Sequence, residues 1–208
     1  MNSYRIIIAD DHSLIRQGIK AMIGQEKGLQ VIAEAADGRE LLDTLKEAQP
    51  DMVILDISMP QVNGIEAVGR IHQLYPEVRM LVVTMQSNTQ YYYHAISAGA
   101  HGYLLKDDSD TELLPAIQQI RDGKDYISPQ MALGIPQGIR DPKNKLTKRE
   151  KEVLKLVVNG LTSRQIGDKL CISPRTVGNH RSNLLKKFNM KNSVDLVNYV
   201  VKNPFVVI

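Results

Sequence analysis

Through the first 125 residues, short apolar runs alternate with stretches whose apolar positions recur every three or four residues. Runs such as RIIIAD and MVILD are apolar throughout, as strands covered on both faces should be. The pattern predicts strands near Arg5–Asp10, Gln30–Ala35, Met52–Asp56, Arg79–Thr84 and Gly102–Leu105. Between them it predicts helices near Ser13–Ile23, Gly38–Ala48, Gly64–Leu74, Thr89–Ala98 and Thr111–Asp122. Strand–helix alternation at this spacing implies a five-stranded, doubly wound parallel sheet joined by right-handed crossovers.

From Tyr126 to Lys145 the periodicity dissolves into a stretch carrying Pro129, Pro136 and Pro142 with Gly134 and Gly138, which is linker composition. A short helix near Gln130–Leu133 is compatible with it. Beyond, strand signals are missing until the terminal FVVI. Helices are predicted to open on Thr147, Thr162, Ser173 and Ser193, residues suited to N-capping, with Pro174 in a favoured first-turn position. The expected organisation is an α/β domain over 1–125, a linker over 126–145 and a small all-α domain over 146–208.

Charge sharpens that division. The chain has a net charge of +3, yet residues 1–125 carry 11 Lys and Arg against 18 Asp and Glu, and residues 126–208 carry 15 against 5. An acidic half joined to a basic half implies different partners, the basic one suited to nucleic acid. No apolar run approaches the roughly 20 residues of a spanning helix, and the N-terminus meets two aspartates before a signal-peptide apolar region forms. A single cysteine, Cys171, excludes an internal disulfide. It is expected to be a buried structural thiol, because it falls in the apolar phase of DKLCIS. These features point to a cytoplasmic, non-membrane protein.

The chemistry gathers at strand ends. Asp10, Asp11 and Asp56 each fall at the C-terminal end of a predicted strand, where open α/β sheets bind ligands. Converging carboxylates repel unless a cation sits among them, and a hard divalent ion with oxygen ligands, Mg²⁺ above all, suits such a cluster. Thr84 and Lys106 close the fourth and fifth strands on the same rim. An aspartate there can act as a nucleophile and carry a phosphoryl group, with metal and lysine neutralising its oxygens.

IIIADDH, VILDISMP, VVTM and GYLLK resemble the receiver domain of bacterial two-component response regulators, over residues 4–123. The resemblance implies that Asp56 is the phosphoryl acceptor, phosphorylated by a sensor histidine kinase, and that Mg²⁺ is held by Asp10, Asp11, Asp56 and the Ser58 carbonyl. It places Thr84 and Lys106 against the phosphoryl group, and Tyr103 with Thr84 at the switch. Met85 follows the threonine where many receivers carry a smaller residue. Of Tyr91, Tyr92 and Tyr93, one or two are expected to pack on the sheet. A metal-dependent phosphatase is the rival reading, but it would want a second carboxylate where Ser58 stands.

In the basic half, LTSRQIGDKLCISPRTVGNHRSNLLKKF joins two amphipathic helices through a short turn, the spacing of a helix–turn–helix. Val177, Leu184 and Phe188 share one face and read as core, with His180 near it and expected to be a buried, satisfied histidine rather than a DNA ligand. Arg175, Asn179, Ser182 and Lys186 lie opposite. LTKREKEVLKLVVNGLTSRQIGDKL followed by SPRTVGNHRSNLLKKF is similar to the LuxR/FixJ-type DNA-binding domain, and with a receiver it gives the NarL/FixJ class. That resemblance implies contacts to double-stranded DNA at Gly178, Asn179 and Ser182, with Thr176 and Lys186 nearer phosphates. Gly178 departs from relatives, which often have lysine there. Val194, Val197 and Val201 mark the helix on which relatives form homodimers, although core packing explains some of those valines equally well. An RNA-binding or protein-docking output remains the alternative.

Overall fold

The computed structural model describes residues 3–136 and 146–203, which fall into two compact units, 1–131 and 132–208. In the first, strands β1 (Tyr4–Ala9), β2 (Leu29–Ala35), β3 (Met52–Leu55), β4 (Arg79–Thr84), β5 (Gly102–Leu105) and β6 (Tyr126–Ile127) form one parallel sheet in the order β2-β1-β3-β4-β5-β6. Helices α1 (Ser13–Gly24), α2 (Gly38–Ala48), α3 (Gly64–Leu74), α4 (Thr89–Ala98) and α5 (Ser109–Arg121) connect them. β3 and β5 are buried along their whole length, and β1 and β4 everywhere but at their first one or two residues, as their apolar sequences require. One core cluster packs Ile6, Ile8, Met52, Ile54, Leu81, Val83 and Leu104 against Ile19 and Ile23 of α1 and Leu113, Ile117 and Ile120 of α5.

The expected strand order is found, but the sheet has six strands rather than five. Tyr126 and Ile127, in the stretch read as linker, run parallel to Gly102 and Tyr103. The Tyr126 amide donates to the His101 carbonyl and the Ser128 amide to that of Tyr103, at 3.0 and 2.9 Å. The Tyr126 ring is buried in the same core, and its hydroxyl donates to Glu112 of α5. A two-residue strand leaves no periodicity in sequence, and the side chain that buries it in the core is one aromatic ring. A short helix, α6 (Pro129–Leu133), follows and buries Met131.

In the second unit, α7 (Lys148–Val158), α8 (Ser163–Leu170), α9 (Pro174–Lys187) and α10 (Ser193–Lys202) pack around Val153, Leu154, Ile166, Val177, Leu184, Phe188, Leu196 and Val200. Thr147 and Thr162 form reciprocal capping boxes with Glu150 and Gln165, and Ser173 caps α9. The cap of α10 is Asn192 rather than the expected Ser193, because its carboxamide oxygen accepts from both Val194 and Asp195 amides. Cys171 is exposed, not buried. It ends α8 in the left-handed region at φ 53°, so the helical phase that would have turned its thiol inward stops at Leu170. The turn then folds back so tightly that a Cβ on Gly167 would lie 2.6 Å from the Ile172 carbonyl oxygen. The terminal FVVI and residues 137–145 of the Pro/Gly-rich stretch lie outside the described residues.

Candidate functional site

Register explains why the acidic residues meet. β1 and β3 are neighbours with Ala9 opposite Leu55, so Asp10 and Asp56 leave the sheet side by side. The Asp56 amide donates to the Ala9 carbonyl at 2.9 Å, extending the ladder by one bond. On the other side Thr84 pairs with Leu105, which places Lys106 one residue past the rim. A close turn brings α3 back beneath Asp56. A Cβ on Gly64 would sit 2.0 Å from the Asp56 carbonyl oxygen, so only glycine fits there.

The charges are buried and paired. Asp10 and Asp56 are 2% and 3% exposed. The Lys106 ammonium donates to Asp10 Oδ2 at 2.6 Å and Asp56 Oδ2 at 2.8 Å. Asp56 Oδ1 accepts from the Ile57 amide at 2.6 Å. Burial pulls the lysine pKa down, but the hydrogen bonds and charges of Asp10 and Asp56 outweigh it and hold the group above its ordinary value. The ammonium is thus fixed as a cation between two carboxylates.

Asp11 is the exposed carboxylate of the cluster. Ligand atoms of Asp10, Asp11, His12 and Asp56 all lie within 4.8 Å of one another, a spacing one divalent ion can span. Ser58 is exposed beside Asp56, and its hydroxyl accepts from the Gln86 carboxamide at 3.3 Å. Thr84 is fully buried, with its hydroxyl accepting from the Gln86 amide at 3.4 Å. Tyr103 is also fully buried and donates its hydroxyl proton to the Gln86 carbonyl at 2.8 Å. Burial first, then the charge of Asp56 and the nearby Tyr91, push that phenol well above its ordinary pKa, so it is a donor at any physiological pH. Met85 is exposed at the rim. Tyr92 and Tyr93 are buried, Tyr92 edge-to-face with Tyr103 at 5.7 Å, and Tyr91 is half-buried.

Two residues of this site were not singled out from sequence. Gln86 ties Ser58, Thr84 and Tyr103 together, chiefly through backbone atoms that no residue identity reports. His12 was visible as the third letter of DDH, and its ring nitrogen lies 2.8 Å from Asp11 Oδ1.

The second unit keeps its polar groups on an open surface. Along α9, Val177 and Leu184 are buried, as is Phe188 at its end, whereas Arg175, Asn179, Ser182 and Lys186 are exposed. Thr176 and Gly178 are half-buried, and the Thr176 hydroxyl is bonded to that of Ser173 at 2.8 Å. His180 is half-buried rather than buried. Val194 and Val201 are 68% and 62% exposed and Val197 is half-buried, so α10 packs inward through Leu196 and Val200 instead.

These features agree with comparison to known proteins. Residues 6–118 match the response regulator receiver domain, and residues 144–200 match the bacterial regulatory proteins of the luxR family. The chain is 34% identical to the transcriptional regulatory protein DegU of Brevibacillus brevis, over 99% of this chain and 96% of the relative. It is 33% identical to the oxygen regulatory protein NreC of Staphylococcus carnosus, over 95% and 97%. Among solved structures, the RcsB response regulator of Salmonella typhimurium covers 97% of the chain at 27% identity, with a TM-score of 0.63. An RcsB–DNA complex covers 97% at 26% identity, with a TM-score of 0.61. The chain therefore belongs to the two-component response regulators, in the NarL/FixJ class that joins a receiver to a LuxR-type helix–turn–helix. It is a DNA-binding transcriptional regulator and not an enzyme of the phosphatase kind. Among the described residues, no helix is long and apolar enough to cross a membrane.

Proposed function

We propose that Asp56 is the phosphoacceptor of this regulator, charged by a sensor histidine kinase in the cytoplasm, and that its phosphorylation switches binding to double-stranded DNA. The observation that carries this reading is a buried carboxylate at a strand end, paired to Lys106 and adjacent to two further aspartates. Asp56 attacks the phosphorus of a phosphohistidine or small acyl phosphate, forming one P–O bond as the bond to the donor breaks. The departing imidazole or carboxylate carries the electron pair. Asp10, Asp11, Asp56 and the Ser58 carbonyl would hold Mg²⁺, which when bound neutralises charge on the phosphoryl oxygens. Lys106 supplies a fixed cation to the same oxygens.

The product carries a charge of about −1.5 to −2 where the carboxylate carried −1, beside Thr84. The buried Thr84 hydroxyl turns from the Gln86 amide toward a phosphoryl oxygen. That movement reaches Tyr103 because both contact Gln86. In the basic unit Arg175, Thr176, Gly178, Asn179, Ser182 and Lys186 form the DNA face, with Asn179 able to address adenine through two hydrogen bonds. Val194, Val197 and Val201 offer an apolar strip for a homodimer on two half-sites. On this reading the receiver extends past residue 125 to include β6, and the linker begins after it.

The test is intact mass after incubation with acetyl phosphate and Mg²⁺. The expected result is one added phosphoryl group that hydroxylamine removes and that Asp56→Asn never acquires. Full labelling of Asp56→Asn contradicts the assignment.

A further inference from the structure

His12 occupies the residue before α1, yet its side chain does not cap that helix. The imidazole turns back to the aspartates instead. Nδ1 lies 2.8 Å from Asp11 Oδ1 and 3.3 Å from Asp10 Oδ1. The backbone is pinned in this posture by the His12 amide, which donates to Asp10 Oδ1 at 2.9 Å. Lys106 uses the Oδ2 atoms of Asp10 and Asp56, so the Oδ1 side of Asp10 is the side that faces the imidazole.

These separations match a shared coordination sphere. With metal–ligand bonds of about 2.1 Å and octahedral angles, adjacent ligands lie roughly 3.0 Å apart and opposite ones roughly 4.2 Å. The His12–Asp11 and His12–Asp10 distances bracket the first figure, and all four donor residues fall within 4.8 Å, slightly wider than the second, so a small inward shift closes them on one ion. The ring is 66% exposed, so it can join an ion at little desolvation cost. Its chemistry differs from that of its neighbours. Carboxylate and carbonyl oxygens suit Mg²⁺ and Mn²⁺ alike, whereas a neutral imidazole nitrogen adds little for Mg²⁺ and more for the first-row transition ions, of which Mn²⁺ is the hardest.

We propose that His12 is a metal ligand of the Asp10–Asp11–Asp56 pocket and shifts its preference from Mg²⁺ toward Mn²⁺. This rests on the reading of that pocket as a divalent-ion site. The bound ring contributes Nδ1 in its neutral form, so the site gains a fourth side-chain donor without further negative charge.

The test uses the full chain without a polyhistidine tag. Free Mn²⁺ is counted by electron paramagnetic resonance during titration, then displaced with Mg²⁺ to give both dissociation constants. His12→Ala, at an exposed position, is expected to weaken Mn²⁺ binding about tenfold while changing Mg²⁺ binding less than about threefold. Electron spin echo modulation from a directly bound imidazole nitrogen should be present in the unaltered chain and absent in His12→Ala. If Asp11→Asn weakens both ions but His12→Ala alters neither affinity nor the nitrogen modulation, His12 is only an ion-pair partner of Asp11 and the proposal falls. If Asp11→Asn also changes nothing, the pocket reading itself falls.

Discussion

The rim around Asp56 and the outer face of α9 are both rich in polar side chains, but they are built by opposite rules. At the rim, Asp10, Asp56 and Lys106 lie inside the protein, each with a fixed partner, and the sheet register dictates which residues meet. On α9 the polar groups stand in solvent, and the fold only decides that they face away from Val177 and Leu184. A buried site reports its chemistry through what its residues touch. An open face reports only which residues are free to touch something else.

This contrast can be broken most sharply at Lys106. Lys106→Met leaves two buried carboxylates facing each other without their cation, and should destabilise the metal-free receiver by about 3 kcal/mol. Urea unfolding would read the loss, and Mg²⁺ should restore more stability to the variant than to the unaltered chain. On α9 the corresponding truncation, Asn179→Ala, should leave the thermal midpoint within a degree or two. It should nonetheless cost about 1–3 kcal/mol of discrimination at one base pair, seen by competition binding. An Asn179→Ala variant that unfolds easily would show that this face is structural after all.

The second unit also holds a buried charge pair, which tests whether the rule follows burial rather than domain. Glu150 accepts from Lys187 at 2.7 Å. Burial raises the Glu150 pKa, but its bonds to Lys187 and Thr147 outweigh this and hold it below the ordinary carboxylate value. A depressed folded pKa stabilises above the unfolded value, about 4.3, and the contribution is lost as pH falls through the folded one. Thermal melts should show this unit weakening below about pH 4, and Lys187→Met should flatten that slope while costing about 2 kcal/mol at pH 7. Smallest of all, Gly178→Ala meets nothing within 4 Å and should stabilise α9 by up to about 1 kcal/mol. Its DNA affinity would then report on Gly178 without interference from folding.

How much of this could be read from residues follows from the same contrast. β1 to β5 are apolar runs with helices between them, so their order and the convergence of Asp10, Asp56 and Lys106 were legible. β6 was not, because two residues carry no period and Tyr126 is held by a main-chain bond to His101 and a hydroxyl bond to Glu112. Gln86 was hidden for a related reason, since two of its three contacts use its backbone. Cys171 was misread because helical phase was carried one residue beyond the point where the chain turns left-handed. On α9 and α10 the faces were legible from periodicity, and the exposure of Val194 and Val201 gives the apolar strip its only distinguishing mark.

The central claim joins the two regions: charge placed on Asp56 must change what α9 can hold. The direct measurement is the affinity of the full chain for a duplex selected from random sequence, before and after acetyl phosphate with Mg²⁺. The expected result is at least tenfold tighter binding after phosphorylation, no change for Asp56→Asn, and loss of discrimination at one base pair with Asn179→Ala. Equal affinity before and after full phosphorylation of Asp56 would contradict the account.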